Sequence, residues 1–228
     1  MNIVPCDVPI SWGADTSWKL SPDQAERLAR SPLPNGQAIR FLWRYVGLGP
    51  NGRGDIDRPE LEGILAARLI LLLVQHCRAG SWLASGSQGA TDGEWAARNA
   101  GAVGYPKTGC LALDLESVAN PGAAVQAHAL QWCAQVAAAG FEPVIYVGFD
   151  CGLSAEDLYN LPNVRRYWSD AGPRQVTKRG FCCHQFPETT VAGMRVDPDH
   201  AFPDLLGGTL VGAAEEQEVT KPELPPVA

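Results

Sequence analysis

Along this chain, short apolar runs alternate with longer stretches whose apolar positions recur three or four residues apart, the mark of strands alternating with helices. The strand candidates are Gly13–Asp15, Ala38–Val46, Leu69–Gln75, Cys110–Glu116, Pro143–Gly148, Arg165–Ser169, Phe181–Phe186 and Met194–Asp197. Helix signals fall between them. Ser21-Pro22-Asp23-Gln24 supplies an N-cap, a proline at the first helical position and a capping-box glutamine. Asn120-Pro121 opens a longer helix that stops at Gly140, with Val125, Leu130, Trp132, Cys133 and Val136 on one broad apolar face. Ser154 followed by Asp157 starts a shorter one. Eight strands in this rhythm predict an α/β fold, a single (β/α)8 TIM-like barrel over residues 1–212, with irregular or missing helices allowed in its C-terminal half. Residues 213–228 are polar and Pro-rich without periodicity, which predicts a flexible tail.

The fourth strand candidate, CLALDLE, carries the most chemistry. Period-two alternation puts Leu111, Leu113 and Leu115 on one face and Cys110, Ala112, Asp114 and Glu116 on the other. In a barrel the leucines pack outward against helices, the small residues fill the interior, and the two acids reach the mouth. Two residues apart on a strand, their Cα atoms lie roughly 6.5–7 Å apart. Like charges that close raise one pKa, which is how a carboxyl keeps a proton for general-acid work. Glycoside hydrolysis needs such a pair, and a solvated strand end with two unrelated acids is the plainer alternative.

Other polar residues end other strand candidates: Asp15, Arg44 and Tyr45, Tyr146, Trp168, Gln185 and Asp197. Barrel active sites collect side chains in this way, so Asp15, Asp197, Tyr146, Arg44, Trp168 and Gln185 are candidate substrate-binding residues. Singly each has a plainer role: Tyr146 as core, Arg44 as a structural partner of Asp15, Asp197 as a cap before Pro198. Tryptophans suit sugar stacking, yet Trp43, Trp82 and Trp95 serve equally as packing.

Composition narrows the partners. At net charge −7 and without a Lys/Arg run, nucleic acid is a poor partner. The longest apolar run, Leu69–Val74, is too short to cross a bilayer. The opening MNIVPCDVPISWG lacks a basic region and a long apolar stretch, predicting a protein made in the cytoplasm without an export signal. Seven scattered cysteines show no zinc-type spacing; Cys182-Cys183-His184 alternates faces on a strand, so core thiols are expected, with no metal and no cofactor. Gly47–Gly54 and Gly86–Gly89 lack phosphate-loop spacing and read as mobile loops over the mouth. His128 reads as a surface or satisfied core residue.

Taken together, GADTS, RYVG, SQGATDGEWAARNAGAVGYP ahead of LALDLES, IYVG, YWSDAG, HQF and RVDPD resemble the glycoside-hydrolase-like barrels related to the family 25 muramidases, the Chalaropsis-type lysozymes. The resemblance runs from Gly13 to Asp199. It implies that Glu116 is the general acid and that Asp114 assists the substrate N-acetyl group or stabilises the transition state. Asp15 and Asp197 would be further acids of the cleft, and Tyr146 its tyrosine. The implied partner is peptidoglycan or a related N-acetylated glycan, met by a monomer after phage- or machine-mediated delivery. His184-Gln185-Phe186 departs from the family's usual Trp-Gln-Tyr, and no wall-binding repeat follows the barrel. A non-catalytic carbohydrate-binding barrel that keeps the cleft is the competing reading.

Overall fold

In chain order the strands are β1 (Asn2–Pro5), β2 (Ser11–Thr16), β3 (Ile39–Val46), β4 (Ile70–Gln75), β5 (Cys110–Leu115), β6 (Glu142–Val147), β7 (Tyr167–Ser169), β8 (Cys183–Gln185), β9 (Thr189–Val191), β10 (Met194–Ala201) and β11 (Val211–Ala214). The helices are α1 (Pro22–Arg30), α2 (Arg58–Ala66), α3 (Gly86–Ala102), α4 (Ala123–Ala138) and α5 (Ala155–Tyr159). This computed structural model describes residues 1–6, 11–170 and 176–215; most of the expected tail lies outside the described residues.

Strands β2 to β8 run parallel, each hydrogen-bonded to the next. Strand β10 closes the ring by pairing antiparallel with both β8 and β2. The expected (β/α)8 barrel is therefore corrected to a closed, mixed barrel of eight strands with five helices among the described residues. The reason is chain length between strands. A parallel return needs a crossover of a dozen or more residues. Between β8 and β10 there is only the short strand β9, which forms a hairpin with β10, so the last barrel strand enters from the mouth and runs downward. Among the described residues no helix follows β7 or β8.

Each helix that does form is written locally. Ser21 and Gln24 cap α1 reciprocally, and Ser154 and Asp157 do the same for α5. Helix α4 starts at Gly122 without a side-chain cap, because Asn120 is spent elsewhere: its amide bonds Ala84 N and O at 2.7 and 3.0 Å. Gly140 (φ +89°) then stops α4 in the left-handed conformation. Gly86–Gly89 is the first turn of α3 rather than a mobile loop. A side chain at Gly89 would run into the α4 backbone at His128, and one at Gly93 into Trp132 O at 2.7 Å, so these glycines set the close α3–α4 approach. His128 is buried on that interface.

Alternation along the strands sorts two cores. Leu111, Leu113 and Leu115 join Leu42, Val46, Leu71 and Leu73 in the layer between barrel and helices. Phe41, Trp43, Leu72, Val74, Cys110, Ala112, Val144 and Trp168 fill the interior. Strands β1 and β11 lie outside the ring, and β11 meets β4 at Ala213↔Leu71, near the end away from the mouth. The boundary drawn at residues 212/213 thus falls inside β11.

Candidate functional site

The mouth opens where the parallel strands end. Asp15 ends an inward-facing series on β2, is 1% exposed, and accepts hydrogen bonds from Tyr45 Oη (3.0 Å) and Gln185 Nε2 (2.7 Å). Tyr146 Oη donates to Gln185 Oε1 at 2.6 Å. The chain Tyr45–Asp15–Gln185–Tyr146 therefore ties β3, β2, β8 and β6 together across the top of the barrel. Asp197 stands opposite Asp15 in the β10–β2 register.

On β5, Asp114 is buried and Glu116 half-buried just past the strand end. Trp82 Nε1 donates to the Glu116 carbonyl (2.9 Å), and Ser117 (φ +53°) turns the chain away at once. Gly148, on the neighbouring β6 end, makes room: a Cβ there would sit 2.8 Å from Glu116 Oε2. Cys77, just past β4, joins the pair. One donor atom from each of Cys77, Asp114 and Glu116 lies within 4.8 Å of the others. Spacing along the chain suggested no metal-type cluster, and it had no means of pairing residue 77 with residues 114 and 116.

Burial and neighbouring acids raise several of these carboxyls above the usual range. Burial first, then Glu116 and Asp15, push Asp114 well above the usual carboxylate range. Burial and Asp197 raise Asp15 to about 7, against the hydrogen bonds of Gln185 and Tyr45 and the charge of Arg44. Asp199, below Asp197 on β10, is raised by burial and by Asp15. Asp197 is raised by burial and Glu188. Burial and the two neighbouring acids also push the Cys77 thiol up. Such groups gather where proton chemistry is done.

Two candidate residues stand elsewhere. Arg44 faces outward, as its place between inward Trp43 and Tyr45 requires, and is fully buried under α2. Its Nε donates to Glu60 Oε1 (2.6 Å), Nη2 to Gly54 O (3.1 Å) and Nη1 to Thr16 O. Its structural partner is Glu60, not Asp15. Trp168, 1% exposed, lies flat on Trp43 (4.7 Å, 3°) with Nε1 donating to Asp199 (2.8 Å), so it is packed inside the barrel beneath the strand ends. Trp43 is core, Trp82 positions Glu116, and Trp95 carries Arg98 at 4.8 Å. Exposed apolar side chains past parallel strand ends include Trp18, Leu83, Phe149 and Phe186.

Cys77 and Asp199 are missing from the strand-end set, and Tyr45 is named there without a role. Tyr45 and Asp199 follow from period-two alternation through Phe41–Trp43 and Asp197, and Cys77 from the strand-end rule already applied elsewhere.

Comparison with known proteins gives this barrel relatives. No curated protein matches the chain. Among solved structures, an uncharacterised B. stearothermophilus protein aligns with TM-score 0.64 at 18% identity, over 87% of this chain and 99% of its own. The Mycobacterium tuberculosis Tat-secreted protein Rv2525c aligns with TM-score 0.63 at 16% identity, over 86% and 98%. The bacterial lysozyme of Streptomyces coelicolor aligns with TM-score 0.52 at 15% identity, over 85% and 92%. At these identities the likeness is one of fold, a fold that the Streptomyces coelicolor lysozyme shares. The expectation of a cytoplasmic protein without an export signal is withdrawn, since Rv2525c, of the same fold, is Tat-secreted. The profile of the Rv2525c-like, glycoside hydrolase-like domain matches residues 35–200, so the chain belongs to that family.

Proposed function

We propose that this chain hydrolyses peptidoglycan or a related N-acetylated cell-wall glycan, as a monomer, with Glu116 as general acid. The observation that carries this is the Asp114–Glu116 pair at the mouth, with oxygens within 4.8 Å. An inverting hydrolase holds its carboxyls about 6.5–9.5 Å apart to seat a water between them and the sugar. This pair is too close for that, and cleavage should retain anomeric configuration. Glu116, nearer solvent, reaches the leaving oxygen. Asp114 lies deeper, and its ionised form is disfavoured until positive charge develops at the anomeric carbon or the acetamido nitrogen. Its interaction is then stronger in the transition state than in the ground state, the condition for catalysis. Asp15, Asp197, Tyr146 and Gln185 shape the cleft, and Trp18, Leu83 and Phe149 offer apolar contact for sugar rings.

One observation favours the non-catalytic carbohydrate-binding reading: the Cys77 sulfur stands among the carboxylates. A paired experiment separates the two. Glu116→Gln keeps shape and hydrogen bonding but loses the transferable proton. Hydrolysis, followed as new reducing ends, should fall about 10²–10⁴-fold, while glycan affinity stays close to wild type. Wild type that binds glycan and releases no product gives the case to the binding barrel.

A further inference from the structure

Two observations at the β4 and β5 strand ends go beyond hydrolysis. The first is a mixed donor set: the Cys77 sulfur and one oxygen each from Asp114 and Glu116, mutually within 4.8 Å. The second is an orphan. Asp114 is 8% exposed; Cys77 hydrogen-bonds its carboxyl, yet its Oδ1 is buried with no hydrogen-bond partner, whereas both oxygens of Asp15, 1% exposed, are engaged. A buried carboxylate oxygen without a donor costs about 1–3 kcal/mol or more, and a cation is the simplest group that would remove that cost.

We infer that Cys77, Asp114 and Glu116 form an open three-ligand site for a thiophilic divalent cation, with Zn²⁺ the best match. Calcium and magnesium take all-oxygen shells, and a thiolate beside two carboxylates selects against them. Around tetrahedral zinc, bonds of about 2.3 Å to sulfur and 2.0–2.2 Å to oxygen set ligand atoms about 3.5 Å apart. The present spread closes on the ion by roughly 1 Å. Glu116 and Cys77 are only half-buried, while Asp114 is the buried ligand beneath them. Protons on the thiol and on Asp114 leave to solvent as each atom takes the metal. His76 does not join, because its Nε2 is 2.9 Å from Asp55 Oδ1. The fourth position stays open to water or a glycan oxygen. A bound ion occupies Glu116, so, resting on the hydrolase reading, zinc inhibits glycan cleavage reversibly.

The test needs no glycan, so its failure is distinct from failure of the hydrolase reading. Metal-free protein is titrated with Zn²⁺ against a chromophoric chelator, and with Co²⁺ as a spectroscopic probe. One Zn²⁺ per chain and a thiolate–cobalt charge-transfer band are expected. Cys77→Ser should abolish the band, and both Cys77→Ser and Glu116→Gln should weaken zinc binding by about 100-fold or more, beyond what outer-sphere changes cost. Metal-free Cys77→Ser and Glu116→Gln should melt no lower than wild type, which separates loss of the site from loss of the fold. If Cys77→Ser does not fold, a lowered affinity with the band retained in Glu116→Gln carries the same conclusion. Absence of stoichiometric binding to wild type overturns the site. So does unchanged affinity in Cys77→Ser or Glu116→Gln, which would place the ion elsewhere.

Discussion

Arg44–Glu60 and Asp15–Asp114 are all buried in one barrel, and they are treated in opposite ways. Outside the barrel wall, under α2, the Arg44 guanidinium is fully engaged. Glu60 Oε1 also accepts from Leu20 N at 2.8 Å, so opposite charges and backbone dipoles share every atom. At the mouth, acids face acids: Asp114 meets Glu116 and Asp15, and Asp15 meets Asp197. Burial of charge is tolerated in the wall because it is paired. It is tolerated at the mouth because carboxyls take protons there, which stores a readiness to exchange them. The first arrangement holds the fold, and the second is a place to do chemistry.

Removing one partner from each place tests the contrast most strongly. Arg44→Met leaves Glu60 buried and unpaired, and urea unfolding should show a loss of about 3–5 kcal/mol. Asp114→Asn should do the reverse at pH 8, raising stability, because a neutral amide escapes first the cost of burial and then the repulsion of Glu116 and Asp15 that together hold the Asp114 pKa up. If both variants lose stability alike, the contrast is wrong.

Next in size is a pH effect. Asp15 folds with its pKa raised to about 7, so folding keeps a proton that the unfolded chain releases above about 4. Its contribution is neutral at low pH, becomes increasingly unfavourable from about pH 4 to 7, and is constant above, amounting to a few kcal/mol. Asp15→Asn should therefore gain stability relative to wild type over that window and level off beyond it. The difference between the two proteins is the readout, because His128, His184 and His200, held below 6.5 mainly by burial, push the other way in acid. A flat difference from pH 4 to 8 would remove Asp15 from the strained set. The smallest expected effect is at the rim: Phe149→Ala should weaken glycan binding only a few-fold, about 1 kcal/mol or less, with no change in melting temperature.

All eight barrel strands can be placed from apolar patterning, because inward and outward layers demand period two wherever both faces are buried. Direction is a different matter. Met194–Asp197 reads the same whichever way it runs, and only the shortness of the link after Gln185 forces β10 downward. β1, β9 and β11 leave little pattern, being short and mostly outside the ring, and β11 resembles the start of a polar tail. The same logic divides the site. Asp114, Glu116, Tyr146 and Gln185 stand at the ends of legible strands. Arg44 is misplaced when strand-end position outweighs alternation, since one residue of register sends it through the wall. Cys77 joins Asp114 only across the β4–β5 boundary, which no local window contains.

The Asn2↔Ala214 pairing of β1 and β11 brings the two margins of the described chain to neighbouring strands on the face away from the cleft. A short linker there would make the barrel circular without crossing the mouth. New ends cut at the Ala192–Gly193 turn, where both residues adopt positive φ, would then open at the tip of the β9–β10 hairpin, four residues before Asp197. A circularly permuted barrel would carry its fusion point on the mouth side, at the hairpin tip, while every ring strand kept its register.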